Sequence, residues 1–268
     1  MSETAAQLFQ SGRLDEAITA LNGELKKKPK DIDNRVFLAE LLSFAGNLDR
    51  ADLQLDTIGT QEPQIAVTMA LFRQLVRADQ ARRQLFADGR LPEFIDAPPP
   101  DHLRLHLEAL VALRAGDSAE ALAKLSQAEE LRPPAAGSHD GAAFDDFRDL
   151  DDVTGGFFEV YTSTGKYFWI PTESVELVEF RAPERARDLL WRPAHMVVRG
   201  GPDGEVYLPA VYGGAPADAE TALKLGRATD WLEADGAPIR GVGQRCFLVG
   251  EESVPIMQLG TLEFTGAS

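Results

Sequence analysis

The chain has 268 residues, 44% hydrophobic and 26% charged, which is ordinary globular composition and enough to bury a core. Its net charge of −16 at pH 7 repels phosphate backbones and anionic membrane surfaces, which argues against nucleic acid and lipid as partners; the acidity reads either as a means of solubility or as a preference for basic or amphipathic protein segments. No stretch approaches the roughly 18 consecutive apolar residues of a membrane span. The opening MSETAAQLFQSGRLDEA carries neither a basic nor an apolar leader region, and the one cysteine, Cys246, can form no internal disulfide. A cytoplasmic protein is therefore expected, with Cys246 as a small core residue in the run Cys246-Phe247-Leu248-Val249.

Two halves follow different grammars. Residues 1–135 hold 16 basic and 21 acidic side chains, net −5, and residues 136–268 hold 11 and 22, net −11. Of the 21 aromatic residues, 15 lie after residue 135, among them every Trp and Tyr. The first half is rich in strong helix formers, and the second in the residues of strands and turns. Arg132-Pro133-Pro134-Ala135-Ala136-Gly137-Ser138 reads as the junction.

Three segments of the first half share one pattern. Gly12-Arg13-Leu14-Asp15-Glu16-Ala17 is followed by Pro29, Gly46-Asn47-Leu48-Asp49-Arg50-Ala51 by Pro63, and Gly116-Asp117-Ser118-Ala119-Glu120-Ala121 by Pro133. In each, the alanine stands five residues after the glycine and the proline seventeen after it. The first two glycines are 34 residues apart, the tetratricopeptide period. The glycine ends one helix in the left-handed region, the alanine lets two helices cross closely, and the proline closes the second helix. Asn34–Phe44 places Phe37, Leu38, Leu41 and Leu42 on one face, and Asp49–Thr57 offers Ala51, Leu53 and Leu55. A long helix is expected over Gln64–Ala87, with Val67, Leu71, Leu75 and Ala78 as its stripe. After Asp96-Ala97-Pro98-Pro99-Pro100-Asp101 the helix resumes over His102–Arg114. The third glycine comes 70 residues after the second, so a short, irregular array of about three hairpins is expected, with a concave face suited to a peptide or helix.

In the second half, strands are expected at Gly156–Thr162, Lys166–Pro171, Ser174–Phe180, Ala194–Arg199, Glu205–Val211, Gln244–Val249 and Val254–Phe264, with short helices at Pro183–Leu190 and Ala217–Leu225. The reading is an α+β multidomain chain: a tetratricopeptide-like, all-α helical-repeat domain over residues 1–135, then a small β-rich domain, an antiparallel sheet or barrel, over residues 136–268.

Chemistry is hard to place. Asp145, Asp146, Asp149, Asp151 and Asp152 suggest an oxygen-rich metal site, but they lack the spacing of a calcium loop. The alternative is a solvated segment, or one that caps a helix and pairs with arginines of the same domain. His102 and His106 are four apart on a helix without the glutamate of a zinc-protease motif, and His139 and His195 stand alone. Gly241-Val242-Gly243 leads into a strand rather than into a helix, so it does not read as a dinucleotide loop. No catalytic residue, cofactor or metal ligand is assigned. Arg187-Asp188-Leu189-Leu190-Trp191-Arg192 and Leu225-Gly226-Arg227-Ala228-Thr229-Asp230-Trp231 set charge beside tryptophan, either as an internal network or as a recognition patch.

Gly165-Lys166-Tyr167-Phe168-Trp169-Ile170-Pro171, the two segments just quoted, Leu208-Pro209-Ala210-Val211-Tyr212, Gly243-Gln244-Arg245 and Glu40 to Ala51 (ELLSFAGNLDRA) resemble the ImpE/TagJ (SciE) family over nearly the whole chain. The resemblance implies an accessory protein of the bacterial type VI secretion system, associated with the contractile sheath and with ClpV, the AAA+ ATPase that recycles it. It further implies binding to a short N-terminal helix of the sheath subunit TssB, and no catalysis. The candidate protein-binding residues are Phe37, Leu41, Phe44, Leu71 and Leu75 on the repeat array, and Trp191, Arg192, Arg227 and Trp231 in the second half. A generic tetratricopeptide scaffold for another complex, or a metal-dependent enzyme built on the Asp145–Asp152 cluster, are the alternatives.

Overall fold

Gly12, Gly46 and Gly116 all sit in the left-handed region, at φ 81°, 74° and 80°. At each, the same pair of bonds closes the helix before it. The glycine N–H reaches back three residues, as Gly46 does to Ser43, and the next N–H reaches back five, as in Arg13 to Leu8, Asn47 to Leu42 and Asp117 to Ala112. Ala17, Ala51 and Ala121 are fully buried where the paired helices cross. Pro29, Pro63 and Pro133 each stand two residues beyond a helix end.

The computed structural model describes residues 3–96, 98–214, 216 and 219–266. Its hairpins are α1 (Ala5–Gln10) with α2 (Leu14–Lys27), α3 (Ile32–Phe44) with α4 (Leu48–Gln61), and α6 (Asp101–Arg114) with α7 (Ser118–Leu131). Between the second and third hairpins runs α5 (Ala66–Asp88), which has no partner helix following it. Instead α5 packs against the sheet, and this accounts for the irregular third spacing.

The strands are β1 (Gly137–His139), β2 (Ala142–Phe144), β3 (Phe147–Asp149), β4 (Phe157–Thr162), β5 (Tyr167–Pro171), β6 (Val175–Phe180), β7 (Trp191–Val198) and β8 (Asp203–Pro209). After α8 (Thr221–Lys224) come β9 (Thr229–Leu232), β10 (Arg240–Gly243), β11 (Cys246–Val249), β12 (Glu252–Pro255) and β13 (Thr261–Phe264). They form an antiparallel eight-stranded sheet ordered β2-β1-β13-β6-β7-β8-β4-β5, a three-stranded sheet β12-β11-β3 and a two-stranded ribbon β10-β9. The fold is thus a helical-repeat array followed by an antiparallel β unit, as the sequence led us to expect.

Several boundaries differ from the sequence reading. Val254–Phe264 is two strands, β12 and β13, separated by a 3-10 turn at Ile256–Gln258. Pro183–Leu190 forms only a 3-10 turn at Ala186–Leu189. The helix expected over Ala217–Leu225 is confined to α8, and Ala217 itself lies outside the described residues. β1, β2, β3, β9 and β10 went unrecognised in the sequence.

Two apolar cores organise the molecule. One lies between the eight- and three-stranded sheets, where Phe147, Phe158 and Phe247 stack at 5.1 to 6.2 Å and Phe264 meets Phe147 edge-on. The other runs through every helical hairpin and continues into the β half through Val153, Phe157, Tyr161, Tyr167, Trp169, Leu190, Trp191 and Leu225. The helices and the sheet therefore share one interior. The segment linking α5 to α6 adds a further join: Glu93 N–H donates to the Tyr167 carbonyl at 2.8 Å and its carbonyl accepts from Trp169 N–H at 3.1 Å, covering the β5 edge.

Candidate interaction surfaces

The inner face of a tetratricopeptide array is built from the first helix of each hairpin. Here much of that face is covered by the chain's own second half. Phe72 of α5 meets Trp191 edge-on at 5.9 Å, and the Arg187 guanidinium lies 4.7 Å over the same Phe72 ring. Arg187 also reaches Glu40 of α3 at 3.3 Å. Burial pushes the Glu40 carboxyl up and the Arg187 guanidinium down, so this single contact only partly offsets their desolvation. Arg227 donates to the carbonyls of Phe9 and Gln10 at the end of α1, both at 2.8 Å.

Beneath this cover lies a buried ionic chain. Arg82 of α5 holds Glu159 of β4 through two hydrogen bonds of 2.8 and 2.6 Å. Glu159 accepts a third from Arg245 at 3.1 Å, and Arg245 donates twice to Asp149, at 2.9 and 2.5 Å. Tyr167 donates to Glu159, Tyr161 to Asp79 of α5 at 2.8 Å, and Tyr212 to Asp149 at 3.0 Å. Glu159 and Arg245 have no exposure to solvent. Burial alone would raise the Glu159 carboxyl, but the two arginines outweigh it and hold the group at about 2.

The candidate residues distribute unevenly over this arrangement. Leu41 and Leu75 are buried in the chain's own core, while Phe44 and Trp191, buried as well, border a cleft beside α5. Arg192 is buried too. It donates to the carbonyls of Ile256 and Leu259 and stacks 4.7 Å over Phe180, with its guanidinium pushed down by burial to about 10. Leu71 is half-buried against the same core. Phe37 is half-buried, edge-on to Phe9 at 6.0 Å, while Arg227 is exposed and Trp231 half-buried against Tyr212 at 5.8 Å.

Phe37 and Arg227 meet in one place. A groove of about 430 Å³ is lined by apolar Ala6, Phe9, Phe37 and Leu189 and by polar Gln10, Glu184, Arg185 and Arg227. It lies where α1 and α3 face residues 183–189 and Arg227 of the β half. A second cleft, of about 550 Å³, separates α5 from the end of β8 and is lined by Phe86, Arg83, Tyr212 and Val211 among others.

The acidic segment is engaged internally. Asp146 pairs with Arg132 at 2.6 Å, Asp149 with Arg245, and Asp152 with Arg148 at 3.1 Å. Asp151 takes Arg240 at 3.1 Å and the N–H groups of Val153 and Gly241 at 2.8 and 2.9 Å. Asp145 is exposed. Among the described residues no group of three or more His, Cys, Asp and Glu is placed to hold a metal. His102 Nε2 lies 2.7 Å from a carboxylate oxygen of Glu173, and His106 packs edge-on to Phe157 at 5.2 Å. Burial, with His102 beside it, pushes the His106 imidazole down to about 3. Cys246 is buried, and burial raises its thiol. No described helix is long and apolar enough to cross a membrane.

The fold and these surfaces define a tetratricopeptide array whose hollow is largely plugged by an attached β unit. The chain belongs to the ImpE/TagJ family. The ImpE protein profile matches residues 141–263, and a tetratricopeptide repeat profile matches residues 8–73. The chain is 31% identical over 260 residues, 97% of its length and 90% of the relative's, to the type VI secretion system accessory component TagJ of Pseudomonas aeruginosa. It is also similar to the crystal structure of protein VPA1032 from Vibrio parahaemolyticus, at 30% identity and a TM-score of 0.91 over 98% of each chain.

Proposed function

We propose that this protein is a non-catalytic, cytoplasmic adaptor of the type VI secretion machine. In this reading it holds a short amphipathic helix of a TssB-like sheath subunit and helps bring a ClpV-type AAA+ ATPase to the sheath. The family membership supports the system. The observation that carries the binding mode is the groove of about 430 Å³ beside α1 and α3, where Phe9, Phe37 and Leu189 supply apolar lining, the Arg227 guanidinium lies 5.3 Å over the Phe9 ring, and Glu184 and Arg185 are exposed. An amphipathic helix lays its apolar stripe into such a groove and leaves its polar face to water. The hollow expected from the sequence is thereby narrowed to its α1–α3 end, because α5 is spent on the β half.

The test is a titration of a labelled peptide spanning the sheath subunit's N-terminal helix, followed by fluorescence anisotropy. Micromolar binding that weakens at least tenfold in Phe37→Asp, with unchanged circular dichroism, supports the reading. Absence of binding at tens of micromolar, or equal binding by Phe37→Asp, rejects the groove.

A further inference from the structure

The ribbon β9–β10 stands apart from both larger sheets, and its two edges differ. On the β10 side, Gly241 N–H donates to Asp151 at 2.9 Å, the Gly243 carbonyl accepts from Tyr212 N–H at 2.9 Å, and the Ile239 carbonyl accepts from Asp152 N–H at 3.0 Å. That edge is sealed. On the β9 side, no strand pairs among the described residues.

The register shows which groups this open edge presents. Gly241 is opposite Trp231 and Gly243 opposite Thr229. Since Gly241 and Gly243 direct their main-chain groups away from β9, both pairs are of the wide, non-bonded type. The main-chain groups of Thr229 and Trp231 therefore face outward, two residues apart, as an added strand requires. The Trp231 N–H is held by the carboxylate of its neighbour, Asp230, at 2.9 Å. A side-chain carboxylate on an edge amide is a device that blunts uncontrolled strand pairing. It is also one that a competing main-chain carbonyl can replace.

The side chains name the partner. Leu232 and Ile239 are 46% and 42% exposed, and Trp231, on the opposite face of β9 from Leu232, is half-buried against Tyr212. Asp230, Glu233 and Asp235 are exposed on the same ribbon and its loop. The nearest arginines are engaged elsewhere: Arg240 with Asp151, and Arg227 with the end of α1. The exposed charge on this ribbon is thus acidic, alongside apolar side chains and a free strand edge.

We infer that β9 is a docking edge for an extended partner segment in which basic and apolar residues alternate, added as a third strand to the ribbon. The incoming carbonyl takes the Trp231 N–H, and the displaced Asp230 carboxylate pairs with a basic side chain of the newcomer. This surface is separate from the α1–α3 groove, so either can fail without the other.

The probe is a short peptide alternating lysine and valine, added to the full-length protein and followed by hydrogen exchange with mass spectrometry. Slowed exchange across residues 229–232, weakened by salt, is expected. Three further arms separate the alternatives. An alternating glutamate–valine peptide must not bind, and a lysine–proline peptide of equal charge, which cannot complete a strand ladder, must not slow exchange at these residues. Leu232→Lys combined with Ile239→Lys must weaken binding of the lysine–valine peptide at least tenfold. If that variant does not fold, the wild-type exchange footprint decides alone. Failure of the lysine–valine peptide to bind, binding without slowed exchange at residues 229–232, or equal behaviour of the lysine–proline peptide overturns the inference.

Discussion

Arg82 and Glu159 meet through two hydrogen bonds of 2.8 and 2.6 Å at the point where α5 lies on the sheet, 77 residues apart in the chain. Both side chains are essentially without solvent, so neither can be replaced by water if the other is removed. Breaking such a pair leaves a buried charge, which costs about 3–5 kcal/mol, more than a surface pair ever contributes. Glu159→Gln is expected to destabilise by that order, because it leaves Arg82 without its carboxylate and Arg245 with Asp149 alone. Arg82→Met combined with Glu159→Met is expected to cost less than the sum of the two single changes. Urea denaturation of the four proteins checks this, and additive costs would show that the pair is not coupled.

The same junction sets how the halves behave apart. Phe72, Leu75, Val76 and Ala78 of α5 share a core with Tyr161, Trp169 and Trp191. A fragment ending near residue 135 would expose that face of α5 and leave Arg82 without Glu159 and Asp79 without the Tyr161 hydroxyl. We expect this fragment to keep helical circular dichroism yet lose a cooperative transition and bind a hydrophobic dye. The full chain is expected to unfold in one transition by far-ultraviolet and tryptophan signals alike. A sharp, independent transition of the fragment would contradict the shared core.

The glycines allow a test by sign. Gly116 has φ 80° and nothing within 4 Å of where a side chain would begin. Gly116→Ala therefore isolates backbone strain, and a loss of about 1–2 kcal/mol is expected. Gly23 lies within α2, likewise with nothing within 4 Å. Gly23→Ala is expected to gain about 0.5–1 kcal/mol, because alanine has the better helix propensity and the smaller unfolded-state entropy. Gly243→Ala should cost more than either, since a side chain there runs into the Ala228 carbonyl as well as a left-handed φ of 89°. Thermal midpoints of the three variants order them.

What the sequence made legible was what local physics determines. A capping glycine, a small crossing alanine and a closing proline act within one hairpin, so Gly46, Ala51 and Pro63 announce themselves without tertiary knowledge. The long strands β4 to β7 were readable for the same reason. The dipeptide Asp140-Gly141, at φ 50° and 83°, is a two-residue turn signal that would have located β1 and β2. β3 lies within an aspartate-rich stretch that masks its alternation, and its pairing with β11 bridges nearly a hundred residues. The site was less legible than the fold. Trp191 and Arg192 have the composition of a binding patch, but only the packing of α5 on Trp191, and of Phe180 and the Ile256–Leu259 segment on Arg192, shows them to be interior. Glu159 stood in an apolar strand and Arg82 on an apolar stripe. A charge in such a place is itself a signal of a buried partner, although the identity of that partner depends on topology.

The last prediction concerns acid. His106 is buried with its imidazole held at about 3, against 6.5 for an ordinary histidine, and Glu159 is held at about 2, against 4.5. Both groups bind protons more readily in the unfolded chain. His106 therefore contributes stability that is fully present above pH 6.5 and lost as pH falls toward 3. The contribution of Glu159 is present above 4.5 and lost as pH falls toward 2. Between pH 6 and 4 the slope from His106 alone is about 1.4 kcal/mol per pH unit. A titration of unfolding free energy from pH 8 to pH 2 should fall along that slope between pH 6 and 4. His106→Phe, which keeps an aromatic ring beside Phe157, should flatten the upper part and leave the Glu159 limb intact. An unchanged slope in that variant would assign the acid sensitivity to another group.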